Sequence, residues 1–284
     1  MSKITTQLPK PEGVAANSTA TFRIPVGRRI HALYLAMAYN ATTQNVSHFS
    51  EIRIYANDEV IQRFSGTERD TLNQFDGLAA ATNVLVIPFD RIGLKTVAGQ
   101  EETALNTGVA DANGRNKISN MYMEIDIAGA TINQNDLTLY AKESDAILGQ
   151  GAGTIPFIRK ESRSAAGADS DFQISDLVNP GVNAPDKLAL NRVTFKPSTG
   201  SISNLRIDRN NYQVFDRTDT VNRVVQAAGV REPQAGYYMI DATENGHGGE
   251  PIALHGMVDF RYRLNVSAAM SVSCISEYFG ALSR

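Results

Sequence analysis

The chain has 284 residues, 42% of them hydrophobic and 20% charged, with a net charge of −3. This is an ordinary globular composition, long enough for one large or two medium domains. Residues 1–147 carry 13 Lys and Arg against 16 Asp and Glu, and the remainder 14 against 14, so neither half has the basic excess of a nucleic-acid-binding domain and no direct nucleic-acid partner is expected.

Lys3 and Lys10, with Pro9 and Pro11, form a short extended arm. It reads as a free tail or as an arm that contacts a neighbouring subunit or an anionic lipid surface. Thr19 to Val26 alternates small or polar with apolar residues and predicts a strand, and Gly27-Arg28-Arg29 a turn. Ile30 to Tyr39 fits helix or strand by pattern; its shortness and flanking turns favour a buried strand. Ile52-Arg53-Ile54-Tyr55 alternates, Asn57-Asp58 turns, and Val60 to Phe64 returns as the partner strand. Thr67 is placed to cap a helix whose inner face holds Leu72, Phe75 and Ala79. Val84 to Phe89 is an apolar strand, residues 96–117 a polar loop, and Met121 to Ile127 and Leu137 to Tyr140 are strands.

Residues 145–158, with Gly149, Gly151, Gly153 and Pro156, read as a domain linker. Strands are then expected at Phe172 to Ile174, Leu190 to Phe195, Leu205 to Ile207 and Tyr212 to Phe215, followed by a helix over Asp219 to Ala228. Tyr237 to Ile240, Val258 to Val266 and Val272 to Phe279 complete the set.

The second half thus repeats the plan of the first. Ile52 matches Leu205 at an offset of 153 (205 − 52), and Asp70-Thr71-Leu72-Asn73 matches Asp219-Thr220-Val221-Asn222 at 149 (220 − 71). A small indel in a turn would account for the difference. Short strands with turns between them, and one helix in each half, predict an all-β chain: two tandem eight-stranded jelly rolls, at 14–144 and 159–284, joined by the 145–158 linker. A parallel α/β sheet would need a helix between most strands.

The residues show little chemistry. His31, His48, His247 and His255 form no metal-binding pair. His31 reads as structural and His247 as a loop residue, with a site role for the latter left open. Gly149-Gln150-Gly151-Ala152-Gly153 lacks the Lys-Ser/Thr of a phosphate loop. Asp169-Ser170-Asp171 and Asp111-Ala112-Asn113-Gly114 are oxygen-rich turns that do not complete a calcium loop. They read as solvated turns, or as donors to a calcium ion at a contact. Asp70 and Asp219 read as capping or first-turn charges. Cys274, the only cysteine, sits in an alternating segment and reads as a small buried hydrophobe, and no intrachain disulfide is possible. Asn17, Asn40, Asn45 and Asn265 lie in glycosylation-type triplets, read as chance. There is no apolar signal-peptide core near the N-terminus and no 18-residue apolar run, so synthesis in a host cytoplasm is expected.

Val14-Ala15-Ala16-Asn17-Ser18 followed by Phe22-Arg23-Ile24-Pro25-Val26-Gly27, the hairpin Ile52-Arg53-Ile54-Tyr55-Ala56-Asn57-Asp58, and the end Ser276-Glu277-Tyr278-Phe279-Gly280 to Ser283-Arg284 carry a resemblance. Together with the two-fold plan they resemble the double jelly-roll major capsid proteins of membrane-containing icosahedral viruses, of the corticovirus type in the tectivirus and adenovirus lineage. The resemblance implies a virion protein that forms pseudo-hexagonal homotrimers. These would tile a shell over an internal lipid membrane, beside neighbouring capsomers and minor capsid or penton proteins. It implies no catalytic or cofactor-binding residue. It leaves a structural calcium ion open, and transfers no residue as a ligand. A tandem β-sandwich carbohydrate-binding or adhesin protein is the alternative. That reading wants exposed aromatic residues on a sheet face, and the chain has no Trp.

Overall fold

Alternating burial builds most of this molecule. The computed structural model describes residues 3–37, 45–129, 136–177, 188–246, 251–254 and 257–282, and forms two compact units: residues 1–158 with 281–284, and residues 159–280.

In the first unit the strands are β1 (Ile4–Gln7), β2 (Thr19–Arg23), β3 (Arg28–Met37), β4 (Phe49–Ala56), β5 (Glu59–Phe64), β6 (Val84–Pro88), β7 (Leu105–Asn106), β8 (Met121–Ile127) and β9 (Leu137–Asp145). A 3-10 turn at Val46–His48 precedes β4, α1 (Gly66–Phe75) follows β5, and α2 (Val97–Glu101) precedes β7. One sheet runs β1-β9-β3-β6, with β7 also on β3; the other runs β5-β4-β8-β2. In β8 the sequence Met121-Tyr122-Met123-Glu124-Ile125-Asp126-Ile127 buries every second residue, as a two-residue side-chain period requires of a strand with one wet face. Phe22, Phe49, Ile52, Phe64, Phe75 and Leu33 are fully buried in this unit's core.

The chain leaves the first unit inside β10 (Ile155–Ala165), between Ile158 and Arg159. The second unit holds β11 (Asp169–Ile174), β12 (Leu188–Pro197), β13 (Ile202–Arg209), β14 (Tyr212–Thr218), α3 (Asp219–Ala228), β15 (Tyr238–Asp241), β16 (Ile252–Ala253), β17 (Phe260–Val266) and β18 (Met270–Gly280). One sheet orders as β15-β12-β18 with β16 also on β12, and the other as β11-β17-β13-β14. Phe195 meets Tyr262 edge-on at 5.4 Å between ring centres in its core.

The two orders correspond strand for strand: β2-β8-β4-β5 with β11-β17-β13-β14, and β9-β3-β6 with β18-β12-β15. From β4 to β6 in the first unit and β13 to β15 in the second the offset is 153. The β4–β5 hairpin turns through Asn57 and Asp58, and the β13–β14 hairpin through Asn210 and Asn211 (210 − 57), all four at positive φ. Two successive left-handed residues make the tight turn whose twist matches its strands, and Asn and Asp tolerate that conformation. The helix caps Ser65 and Thr218 keep the offset (218 − 65). So do two buried amides: Asn73 donates to the Val86 carbonyl at 2.7 Å, and Gln226 to the Met239 carbonyl at 2.8 Å. The offset of 149 expected for Asp70 and Asp219 is therefore corrected. Asp219 is the counterpart of Gly66, and no indel intervenes between the hairpins and β6 or β15.

Other expectations change as well. The cap of α1 is Ser65, not Thr67: its hydroxyl accepts from the Glu68 amide at 3.2 Å while the Glu68 carboxylate accepts from the Ser65 amide at 2.8 Å. Leu72 and Phe75 are buried, but Ala79 lies beyond the helix and is exposed. The polar loop at 96–117 contains α2 and β7.

The N-terminal arm is not a free tail. Ile4–Gln7 pairs antiparallel with β9, and the Lys3 ammonium sits 2.7 Å from Glu101 and 3.5 Å from Asp90. The fold of the first unit therefore begins ahead of residue 14. Residues 145–158 are not a loose tether either. The Asn106 side chain accepts from the Ile147 amide and donates to the Ile147 and Gly151 carbonyls, and Ala152 is buried.

Candidate assembly surfaces and the family of the chain

The sequence-level candidates for chemistry are mostly accounted for by local structure. Asp111 accepts from the amides of Asn113 and Arg115 and from the Asn116 side chain. These donors, the Arg115 amide foremost, hold its carboxyl below the usual range. Asp171 lies 2.6 Å from the Arg263 guanidinium. Asp70 accepts from the Ala81 amide at 2.7 Å and tethers the chain after α1, whereas Asp219 sits in the first turn of α3 and pairs with Arg223. Gly149, Gly151 and Gly153 have positive φ and lead into a strand rather than a helix, so they form no phosphate cradle. His48 closes a capping box with Asn45. His247 and His255 lie outside the described residues. Among the described residues no group of three His, Cys, Asp or Glu side chains is placed to hold a metal ion.

One constellation was not legible in the sequence. His31, fully buried on β3, places Nδ1 2.9 Å from Asp90 Oδ1 and Nε2 2.9 Å from Ser144 Oγ. The connectivity is that of a hydrolase triad. Ser144, however, is only 3% exposed and sits at the end of β9, opposite Arg29 of β3, so a substrate carbonyl has no approach to its oxygen. Strand pairing brings the three together across 113 residues. Their hydrogen bonds satisfy polar groups that would otherwise be stranded in the core.

Cys274 on β18 is buried as expected, and burial pushes its thiol up to about 12. The native protein is expected to show no thiol reaction with a disulfide reagent at about pH 8, where a free cysteine is partly thiolate, and one reactive thiol in denaturant. Full reaction under native conditions would refute the burial.

Two clefts of the second unit are lined by described residues. One, of about 280 Å³, lies beside the start of α3 and is lined by Gly200, Ser201, Asp219, Arg223 and Tyr237. The other, of about 210 Å³, is lined by residues including Asn191, Arg192, Arg217, Asp241 and Glu244. Asp241 is fully buried: Oδ2 accepts from Arg231 Nε at 2.6 Å and Arg192 Nη2 at 3.3 Å, and Oδ1 accepts from the Thr243 amide and hydroxyl, each at 2.7 Å. This is a structural network: Arg192, Arg231 and Thr243 take up both carboxylate oxygens.

Both units match family models. Residues 5–144 match the viral coat protein P2 N-terminal domain, and residues 155–282 the viral coat protein P2 C-terminal domain. The chain belongs to the viral coat protein P2 family. Among solved structures, this coat protein is similar to the major capsid protein P2 of bacteriophage PM2, with 16% identity over 100% of this chain and 99% of that one and a TM-score of 0.84. It is also similar to the STIV MCP, with 10% identity, 99% and 97% coverage and a TM-score of 0.67. The PBCV-1 virus capsid follows with 8% identity, 99% and 95% coverage and a TM-score of 0.58. No curated protein matches it by sequence. These likenesses carry the double jelly-roll fold, as the sequence resemblance implied. The coat protein is a viral major capsid protein, a structural component of a virion.

Proposed function

We propose that this coat protein forms homotrimeric, pseudo-hexagonal capsomers that tile an icosahedral shell over an internal lipid membrane. The observation that carries the reading is the corresponding strand order of the two units, with hairpin, helix cap and helix matching at an offset of 153. A trimer of such chains presents six similar units, so a three-fold object fits six-fold surroundings by closed symmetry. Neighbouring capsomers and minor capsid or penton proteins are its partners. The membrane contact is not assigned to the N-terminal arm, because Lys3 already pairs with Glu101 and Asp90. A calcium ion shared between copies remains part of the proposal.

Light scattering of the purified chain tests it. The expected mass is three times the 30.8 kDa chain, and loss of that species on adding a chelator is the expected sign of a shared cation. A monomer under all mild conditions would overturn the trimer; a trimer indifferent to chelation would overturn the calcium.

A further inference from the structure

From β4 to β6 and β13 to β15 the constant offset allows each surface of one unit to be compared with its counterpart in the other, and one pair differs sharply. The helix α3 is built inside out. Its polar Asn222 and Gln226 are buried, both donating to the Met239 carbonyl, at 2.6 and 2.8 Å. Its apolar Val221 and Val224 are 51% and 64% exposed, and Ala228 is exposed beside them. Val221, Val224, Val225 and Ala228 follow the spacing of a helix's core stripe, but here the stripe faces outward.

In the first unit the corresponding face is covered by the chain itself. The counterparts of Val221, Val225 and Ala228 are Glu68, Leu72 and Phe75, all buried, and that of Val224 is the half-buried Thr71. The 3-10 turn Val46–His48 packs on α1, so close to Gly66 that the Val46 carbonyl lies where a Cβ would be. The link from β3 to β4 that carries this turn spans residues 38–48. Its counterpart from β12 to β13 is only residues 198–201. The cleft of about 280 Å³ opens at that short link, lined by Gly200, Ser201 and Asp219, the counterpart of Gly66.

The neighbouring strand shows the same asymmetry. The outer edge of β5 is met in parallel by β10, with Ile158 opposite Gln62 and the Gln62 side chain donating to the Pro156 carbonyl. Among the described residues its counterpart β14 ends its sheet, with Tyr212 77% and Val214 47% exposed. An open edge of seven residues, about 24 Å at about 3.4 Å each, is a template for another strand, and native proteins rarely leave one bare.

We infer that the open edge of β14 and the apolar face of α3 form one docking surface, and that its occupant is a second copy of this chain. This rests on the capsid reading above and deepens it. Internal precedent argues for this occupant, since segments of this same chain occupy the corresponding surface of the first unit. Size argues for it as well: a strand edge of about 24 Å beside a helix of about 15 Å spans a chain-sized partner rather than a small molecule.

The full-length double variant Val221→Ser, Val224→Ser is compared with the unaltered chain by sedimentation velocity, and a Val224→Cys variant is probed with a maleimide. Because Cys274 is buried, the new thiol is the one that reports. In dispersed protein the double variant is expected to melt as the unaltered chain does, since both valines face solvent in the single chain, and it is expected to self-associate at least about ten-fold more weakly. The Val224→Cys thiol is expected to react in the dispersed protein and to be protected in the associated one. Equal association, with equal labelling in both states, would overturn the surface while leaving the trimer intact. An unaltered chain that never associates would instead overturn the capsid reading itself, and this surface with it.

Discussion

Asp241→Ala is expected to destabilise the second unit by about 3–5 kcal/mol, the range for removing one partner of a buried ion pair. The carboxylate pairs with both Arg192 and Arg231 in this fully buried cluster. Its loss would take an ion-pair partner from two buried guanidinium groups and leave the Thr243 amide without its acceptor. Desolvation alone would push this carboxyl upward, but the two arginines and the Thr243 hydroxyl and amide outweigh it, and the result lies below the ordinary 3.8. The sign of the pH dependence follows. A carboxyl with a depressed folded-state value contributes stability that is fully present above the unfolded value and is lost as pH falls through the folded one. Thermal melts of the unaltered chain should therefore decline below about pH 4. The Asp241→Ala chain should begin low and lack this group's share of the decline. Asp241→Asn, which keeps the shape but not the charge, separates packing from electrostatics and should retain only part of the loss. A melting temperature for Asp241→Ala equal to that of the unaltered chain would refute the network as a source of stability.

Gly66→Ala is the second large effect. No φ constraint demands glycine here; a close approach does. An added Cβ would lie well inside contact with the Val46 carbonyl oxygen, 3.1 Å from the Val46 carbonyl carbon and 3.2 Å from Phe49 Cβ. Two of these atoms are backbone, so relief requires α1 to move off the 3-10 turn. Overpacking of this kind costs about 1–3 kcal/mol, although alanine is the better helix former by about 1 kcal/mol. The control is in the other unit. Asp219 occupies the corresponding place beside an open cleft, and Asp219→Ala should lose only a first-turn charge and its pair with Arg223, about 0.3–1 kcal/mol. Denaturant melts of the two variants should separate them; equal losses would refute the asymmetry between the helices.

Much of the fold was legible because strand burial leaves a period of two in the residues. Met121 to Ile127 and Phe260 to Val266 alternate in sequence as they do in burial, and the turns at Asn57-Asp58 and Asn210-Asn211 stand out as side chains that accept positive φ. The helix Asp219 to Ala228 was found at both ends. What escaped was whatever depends on partners distant in the chain. Ile4–Gln7 has no buried residue and so no pattern; it is a strand because β9 offers an edge. The true register of the repeat was hidden because the matching roles are played by different residues, Gly66 by Asp219 and Asn73 by Gln226. Their equivalence shows only in what they touch.

By itself the sequence determined the all-β class, the doubled plan and the absence of a disulfide, since alternation, turn chemistry and cysteine count are local or compositional properties. Only the tertiary structure decided that His31, Asp90 and Ser144 form a buried hydrogen-bonded chain, that the stripe on α3 faces outward, and that one unit covers what the other leaves open. An amphipathic stripe shows which residues share a face, but which way that face points is set by the competition of every other surface for the core.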